Sequence, residues 1–368
     1  MIECVATGLV YRNPSPQIWA RHAYHPSLAV IGNGELLASF EMGQGHESFD
    51  YRAYTARSTD WGMTWGPPTP ILEDDNTPDS ESTHAIRVSE VSDGLVVGCG
   101  VRFIREDPER GLVNHANLGF VEGDLIFVRS VDGGRNWSAP AVIEPPLRGP
   151  AFELCHRVIE LDDGRWLWPT STWRGWDGEA PNGMKAIAFV SEDRGKTWPS
   201  YIDLIDNYDK GINSWEVSVV QLPDRRLLAI SWAFAEKTST SHPTPYAICE
   251  DGQTFSPPQP TGLHGQTSKM LCLPDGRILC LYRHTDEVGL WGALSEINGN
   301  DWIVHEQKPL WQGARAGMKG DEAPGKELSQ LKFGFPTPVL LPDGDVFAVF
   351  WCVEDCISNI RWLRIKVS

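Results

Sequence analysis

The chain has few basic residues for its content of acidic ones. Its 368 residues include 32 Lys and Arg against 49 Asp and Glu, a formal net charge of −17 at pH 7. Nucleic acids and anionic membrane surfaces bind to basic faces of proteins, and this composition offers little material for such a face. We therefore expect no nucleic acid and no membrane as partner. The net charge does not indicate which small molecule the protein binds or how many chains associate.

Long hydrophobic runs are also missing. No apolar stretch reaches the roughly 20 residues that a membrane-spanning helix needs. Residues 1–16 (MIECVATGLVYRNPSP) lack the basic segment and apolar core of a signal peptide. These absences predict a cytoplasmic protein with reduced thiols.

Patterns that bind metals are scarce as well. Most of the eight cysteines lie inside apolar strands, where cysteine acts as a small hydrophobic residue. A chain of this length does not need disulfides for stability. Cys352 and Cys356 are close in sequence, but no second pair of ligands accompanies them. We expect neither a metal nor another cofactor.

What the chain does contain is a repeated turn with the frame Ser-x-Asp-x-Gly-x-Thr-Trp. The Asp is suited to accept backbone N–H groups of a tight turn, the Gly to a positive φ, and the Trp to packing under a neighbouring sheet. The turn occurs as STDWGMTW at 58–65, SVDGGRNW at 130–137, SEDRGKTW at 191–198, shortened CEDGQTF at 249–255 and degenerate SEINGNDW at 295–302.

A second repeat predicts the architecture. Six segments read as apolar strand, polar turn, apolar strand, and most turns contain Asp-Gly, a strong hairpin signal. They begin near residues 28, 88, 157, 219, 271 and 339. This spacing predicts an all-β, six-bladed β-propeller that occupies residues 1–368 as one domain. The last blade is one strand short, so we expect residues 2–11 to close it.

In a propeller the first strand of each blade lines the central channel, where ligands bind. Polar and aromatic residues are unusually frequent at the starts of these predicted strands. Any one of them is compatible with a satisfied buried residue, but together they favour a ligand site. They are Tyr24, His25, His84, Arg87, Glu153, His156, Arg157, Trp215, Glu216, Lys269 and Phe335.

The turn repeats, in this phase with the hairpins, resemble the Asp boxes (BNR repeats) of the sialidase (neuraminidase) superfamily. The resemblance covers essentially the whole chain and implies the six-bladed propeller. It is specific for the fold and weak for the reaction, because such boxes occur in proteins with other activities.

Three positions depart from the sialidase pattern. Sialidases begin the first inner strand with Arg-Ile-Pro, where this chain has Tyr24 and His25 before a proline. Trp232 stands where the family has an arginine after the second strand of blade four, and Phe335 where it has the nucleophilic tyrosine. A desolvated carboxylate needs bidentate arginine partners, and a phenyl ring cannot attack an anomeric carbon. The resemblance therefore predicts a sialidase-like protein that is not a true sialidase.

The matching positions predict a pair of carboxylates. Glu216 retains the glutamate of the family's fourth blade. The segment QGHESFDYRAYTARS (44–58) corresponds to the family's acid/base loop, in which Asp50 is the best match and Glu47 the alternative. Two carboxyl groups are what glycoside hydrolysis requires. We expect an exo-acting hydrolase of a small, non-sialic saccharide, with uronate-containing saccharides among the candidates, and with Trp232 and Arg283 on the rim of the site.

Two other functions fit the same residues. His25, His84 and His156 with Arg87 and Arg157 favour a polysaccharide lyase, in which Arg neutralises a uronate carboxylate and His moves the proton. A non-catalytic glycan-binding propeller is the third reading. The long connections at 104–124 and 306–332 are predicted to form functional rims.

Overall fold

The computed structural model describes residues 1–32, 34–72, 80–314 and 331–368. Their strands form six sheets, arranged as the blades of a β-propeller, and one two-stranded ribbon. Short 3-10 turns occur at Ser92–Gly94, Tyr208–Lys210 and Glu236–Thr238. No described helix has the length and apolar character that crossing a membrane requires. The predicted all-β, six-bladed propeller is confirmed.

The first three blades follow the N-terminal strand β1 (Ile2–Tyr11) in chain order. Blade one consists of β2 (His22–Ile31), β3 (Glu35–Gly43), β4 (Arg52–Ser58) and β5 (Thr69–Pro70). Blade two consists of β6 (Glu81–Val91), β7 (Leu95–Ile104), β10 (Gly123–Ser130) and β11 (Ala141–Val142); the ribbon before β10 is β8 (Val113–Asn114) and β9 (Gly119–Phe120). Blade three consists of β12 (Ala151–Glu153) and β13 (Ile159–Glu160) innermost, then β14 (Trp166–Trp173), β15 (Ala186–Ser191) and β16 (Ser200–Ile205).

The other three blades continue in the same way. Blade four consists of β17 (Asn213–Gln221), β18 (Leu227–Ala235), β20 (Pro245–Cys249) and β21 (Gln259–Pro260), with β19 (Thr240–His242) paired to the end of β18. Blade five consists of β22 (Gly265–Cys272), β23 (Ile278–His284), β24 (Leu290–Asn298) and β25 (Asp301–Trp311). Blade six consists of β26 (Phe333–Leu340), β27 (Val346–Glu354), β28 (Ile357–Val367) and β1.

The N-terminal strand closes the ring as expected. Strand β1 is antiparallel to β28, with Ile2 opposite Val367 and Tyr11 opposite Ile360. Closure in this way removes two exposed sheet edges, which otherwise invite pairing with other chains. The indole of Trp362 packs so closely over Gly8 that a Cβ there would lie 2.6 Å from it.

The repeated turns share one hydrogen-bond pattern in their complete copies. In the first copy, Ser58 Oγ donates to Asp60 Oδ1 (2.8 Å) and accepts the N–H of Gly62 (2.8 Å). Asp60 Oδ1 also accepts the N–H of Thr64 (2.9 Å). Gly62 has a φ of 89°, as the turn requires. The degenerate copy carries Ile297 at the Asp position and is a plain hairpin between β24 and β25.

Apolar faces between adjacent blades form the core. Trp198, from the third turn, is 2% exposed and packs its ring 6.0 Å from that of Phe127 in blade two. The predicted rim at 306–332 begins later than expected, because residues 306–311 belong to β25. Residues 315–330 of that rim lie outside the described part of the chain.

Candidate active site

A backbone irregularity recurs in the inner strands and shapes the channel. In five of the six inner strands described, a residue other than glycine has a positive φ where the strand shifts its register against the second strand. Such β-bulges re-aim side chains, and left-handed conformations of L residues persist where the surrounding structure enforces them. The five residues are His25 (46°), Ala85 (54°), Glu216 (49°), Thr267 (52°) and Phe335 (52°).

Blade three has a gap in its inner strand instead of a bulge. Its inner strand is interrupted after Glu153 and resumes at Ile159. His156 lies in this break, its Nδ1 2.8 Å from the carbonyl oxygen of Arg157 and its Nε2 accepting the N–H of Val219 at 3.4 Å. Both ring nitrogens are therefore used by the backbone, which leaves His156 a structural residue in this geometry.

Two adjoining spaces share part of their lining. The outer one is an open cleft of about 910 Å³, and the inner one is a cavity of about 140 Å³. Residues from the β3–β4 loop, the β7–β10 connection and blade six line both spaces: His46, Glu47, Val113, Leu331 and Trp351. The connection at 104–124 thus reaches the cavity, as expected of a rim.

Most of the predicted site residues meet in these spaces. Tyr24 lines the cleft, and eight others line the inner cavity: His25, His84, Glu153, Trp215, Glu216, Trp232, Arg283 and Phe335. Five predicted residues line neither space: Asp50, Arg87, His156, Arg157 and Lys269.

Asp50 is not brought to the cavity. It is exposed, and its Oδ1 accepts the N–H of Gln44 at 3.0 Å, so it caps its own loop. Glu47, the alternative in the same loop, does reach the site. Its carboxylate accepts the N–H of Val113 at 3.2 Å and lies 3.5 Å from His115 Nε2.

Three glutamates join neighbouring blades at the bulges. A carboxylate oxygen of Glu41 accepts the N–H of Ala85 in the next blade. In the same way Glu153 accepts the N–H of Glu216 at 3.2 Å, and Glu216 accepts the N–H of Thr267 at 2.7 Å. These carboxylates therefore stabilise the contacts between adjacent blades, whatever chemical role they also have. Glu41 was not predicted; an acidic residue inside the apolar run LLASFEM (36–42) is the signal by which the sequence could have identified it.

Basic side chains behind the wall also join blades. Arg87 donates to the carbonyl oxygens of His25 (2.6 Å) and Pro26 (3.1 Å), and its guanidinium lies 4.9 Å from the ring centre of Phe335. Arg157 donates to the carbonyl oxygen of Leu28 at 2.8 Å. Lys269 donates to the carbonyl oxygens of Glu216 and Val217. The backbone uses these cations, so they do not face the ligand space.

Glu216 and Arg283 form the charged part of the inner cavity. Burial raises the pKa of Glu216 to about 7, and the negative charge of Glu153 adds to this while Arg283 opposes it. Arg283 donates from Nε to Gln266 (2.9 Å) and from Nη1 to the carbonyl oxygen of Phe333 (2.8 Å). Its Nη2 is buried without a hydrogen-bond partner among the described residues.

A histidine group forms the other side of the cavity. His25 Nδ1 lies 3.2 Å from Glu41 Oε2, and its Nε2 lies 3.2 Å from Nε2 of His46. His84 Nδ1 is buried and has no partner among the described residues. Burial lowers the pKa of His84 to about 3. His46 was missed as a site residue, although it belongs to the loop 44–58 that the sequence singled out.

Four aromatic rings stack into a wall that crosses blades two to four. Ring centres are 5.6 Å apart for Phe120 and Trp173, 4.5 Å for Trp173 and Trp215, and 4.2 Å for Trp215 and Trp232. Both faces of Trp215 are therefore covered by other indoles. At Trp215, only the edge of the ring is left to border the cavity. A platform for stacking a sugar needs a free ring face, which Trp215 does not have.

Comparison with known proteins agrees with this architecture. A sequence profile for the BNR repeat-like domain matches residues 112–347. No curated protein matches the chain. A protein of unknown function from Dyadobacter fermentans has a similar structure, with a TM-score of 0.76 and 21% identity over 100% of this chain and 99% of the other.

Two solved sialidase structures are also similar. The NanB sialidase of Streptococcus pneumoniae has a TM-score of 0.69 and 11% identity over 98% of this chain and 70% of its own. The intramolecular trans-sialidase of Ruminococcus gnavus has a TM-score of 0.65 and 14% identity over 94% of each chain. At such identities the likeness concerns the fold. The chain therefore belongs to the BNR repeat-like family, and it shares the six-bladed propeller fold of these sialidases.

Proposed function

We propose that this protein is an exo-acting glycoside hydrolase whose substrate is a small saccharide other than a typical sialoside. The observation that carries the proposal is the position of Glu216. Its side chain is 7% exposed, lines the inner cavity, and has a pKa of about 7. A carboxyl group with such a pKa can give or take a proton at neutral pH, which is what an acid–base catalyst needs.

Glu47 is the second carboxyl group of the proposed pair. It lines the same inner cavity from the β3–β4 loop, with its side chain 21% exposed. Glycosidases act with two carboxyl groups that flank the scissile bond. Glu47 replaces Asp50 in this role, because the side chain of Asp50 caps its own loop at the surface.

The shapes of the two spaces support exo action. The cleft of about 910 Å³ lies within the range of roughly 300–1,000 Å³ typical of ligand sites, and the cavity of about 140 Å³ lies below it. The cleft thus suits the body of a saccharide, and the cavity suits part of one terminal residue.

The donors in the cavity support a substrate other than a sialoside. Among the described residues that line either space, Arg283 is the one arginine, so the three-arginine clamp of the sialidase pattern has no counterpart there. Arg283 Nη2 and Trp351 Nε1 are buried donors without partners. They suit a sugar hydroxyl or a single uronate carboxylate.

Product analysis with the Glu216→Gln variant tests the proposal. Gln keeps an oxygen that can accept the N–H of Thr267, so the bulge remains supported while the proton is lost. On a panel of neutral and uronate-containing oligosaccharides we expect the wild type to release terminal sugar with a new reducing end. The variant should turn over at least about a hundredfold more slowly. The matched control is Glu250→Gln in the exposed loop of blade four, which should match the wild type. Equal activity of Glu216→Gln would remove Glu216 from the mechanism.

A lyase is the second candidate, favoured by the contact between His25 and His46 at the cavity. One imidazole of such a pair can accept a proton beside a uronate carboxylate while Arg283 neutralises its charge. A lyase product is unsaturated and absorbs in the near ultraviolet, whereas a hydrolase product does not. Binding of the saccharide with neither product would identify a glycan-binding propeller.

A further inference from the structure

Two imidazoles and a carboxylate converge beside the inner cavity. One candidate ligand atom from each of His25, Glu41 and His84 lies within 4.8 Å of the others, the sole such group of three found among the described residues. The residues come from β2, β3 and β6, so adjacent strands of blades one and two hold them together. Glu41 is 1% exposed and His25 is 6% exposed.

A purely structural network leaves polar atoms here unexplained. His84 Nδ1 is buried with no partner among the described residues, and so is the hydroxyl oxygen of the fully buried Tyr51. The rings of these two residues are 5.7 Å apart, so both unpaired atoms belong to one small region. Buried polar atoms are normally hydrogen-bonded, and such exceptions call for a missing water, ion or ligand.

We propose that His25, Glu41 and His84 bind one divalent transition-metal ion of the zinc type. Two imidazole nitrogens and one carboxylate oxygen form a three-ligand set that leaves a fourth position open, as in catalytic zinc sites. Calcium and magnesium prefer oxygen ligands throughout, so this set disfavours them. His25 and His84 line the inner cavity, so the proposed site borders it.

The surroundings would hold these ligands in place. One oxygen of Glu41 accepts the N–H of Ala85, which leaves Oε2 for the metal. With the metal on His25 Nδ1, Nε2–H donates to His46, in the way that ligating histidines are usually oriented. Ligands about 2.0–2.2 Å from a zinc ion lie about 3–4 Å from one another, so small side-chain rotations complete the site.

This site does not depend on the proposed hydrolase, because metal binding is measured without saccharide. The untagged chain is treated with EDTA, desalted and titrated with Zn²⁺ and with Co²⁺, followed by metal analysis and absorption spectroscopy. We expect one Zn²⁺ per chain. Bound Co²⁺ should show visible bands without the strong near-ultraviolet absorption of thiolate ligands.

Two variants locate the metal. His84→Ala should weaken binding at least about a hundredfold, since losing a ligand costs no less than losing an orienting partner. The control is His115→Ala. The side chain of His115 lines the cleft and is half-exposed, and this variant should bind the metal as the wild type does. The proposal is overturned by less than a tenth of an equivalent of metal in the wild type, by a thiolate spectrum, or by His84→Ala binding normally. If His84→Ala does not fold, the wild-type stoichiometry and Co²⁺ spectrum decide.

Discussion

At the residue scale, Glu216 combines two roles. One oxygen supports the bulge of the next blade through the N–H of Thr267, and the side chain borders the ligand cavity. A carboxyl group buried away from water is costly in its charged form, so burial favours the protonated form. The same burial that suits Glu216 to the proposed acid–base role therefore makes the stability of the fold depend on pH.

The sign of this dependence follows from linkage. The pKa of Glu216 is raised from 4.5 to about 7, so between these values the folded state binds a proton that the unfolded state has lost. Through this group, the free energy of unfolding falls as pH rises from about 4.5 to 7 and is level above it. Glu216→Gln removes the effect. Urea unfolding at several pH values should show the variant gaining stability relative to the wild type across this window.

Glu250→Gln serves as the surface control for that experiment and should keep a constant difference from the wild type. Because each variant is compared with the wild type at the same pH, titration of the buried histidines cancels. A difference between Glu216→Gln and the wild type that stays constant from pH 5 to 8 would contradict the raised pKa.

At the element scale, five of the six inner strands described carry a β-bulge with one left-handed residue. The left-handed residue in each bulge is strained, since an L residue there costs roughly 1–2 kcal/mol. In a regular strand, successive side chains point to opposite faces of the sheet. The bulge changes this direction locally, so that side chains such as Glu216 and Phe335 border the channel. The glutamates that accept the bulge N–H groups offset part of this cost.

Ala85→Gly tests the strain in a bulge. Glycine relieves the left-handed conformation of Ala85 (φ 54°) but loses a buried methyl group and adds freedom to the unfolded chain, each about 1 kcal/mol or less. We expect a stability within about 1 kcal/mol of the wild type, measured by urea unfolding. Ala29→Gly, buried in the regular part of β2, lacks the relief and should lose about 1–2 kcal/mol. Equal losses in both variants would mean that the bulge stores no strain.

At the scale of the whole molecule, the ring depends on its first strand. Deletion of residues 1–12 removes β1 and exposes the edge of β28 in blade six. We expect a lower melting temperature and aggregation, measured by calorimetry and light scattering.

Gly8→Ala is a milder test of the same closure, because its Cβ would clash with Trp362 and cost roughly 1–3 kcal/mol. Gly66→Ala, whose Cβ would lie 3.6 Å from its nearest neighbour, is the control. Unchanged melting of both the truncated chain and Gly8→Ala would argue against closure by β1.

The arginine contacts around the ring bear on the proposed class of substrate. Arg87 and Arg157 are engaged with backbone carbonyls, and Arg283 alone among the described lining residues offers a guanidinium to the cavity. We expect negligible turnover of fluorogenic sialosides, measured beside an active sialidase at equal concentration. Comparable turnover would show that a clamp forms from arginines in other positions.

Local sequence patterns suffice to predict the fold and much of the ring of candidate residues. Turn residues and strand alternation are local properties, so the repeats predicted six hairpins and the closing strand without tertiary information. Six of the eight predicted residues that line the inner cavity come from the inner-strand positions that the repeats located, and Trp232 and Arg283 come from the second strands β18 and β23.

Which polar side chains face the ligand space depends on how the folded chain packs. Asp50 and Glu47 are three residues apart in one loop, and the path of that loop alone directs Glu47 inward. Arg87, Arg157 and Lys269 look like ligand-binding residues in sequence, yet carbonyl oxygens of neighbouring blades take their donors. Glu41 and His84 join His25 across two blades. Such pairings depend on distances between segments far apart in sequence, which local patterns do not encode.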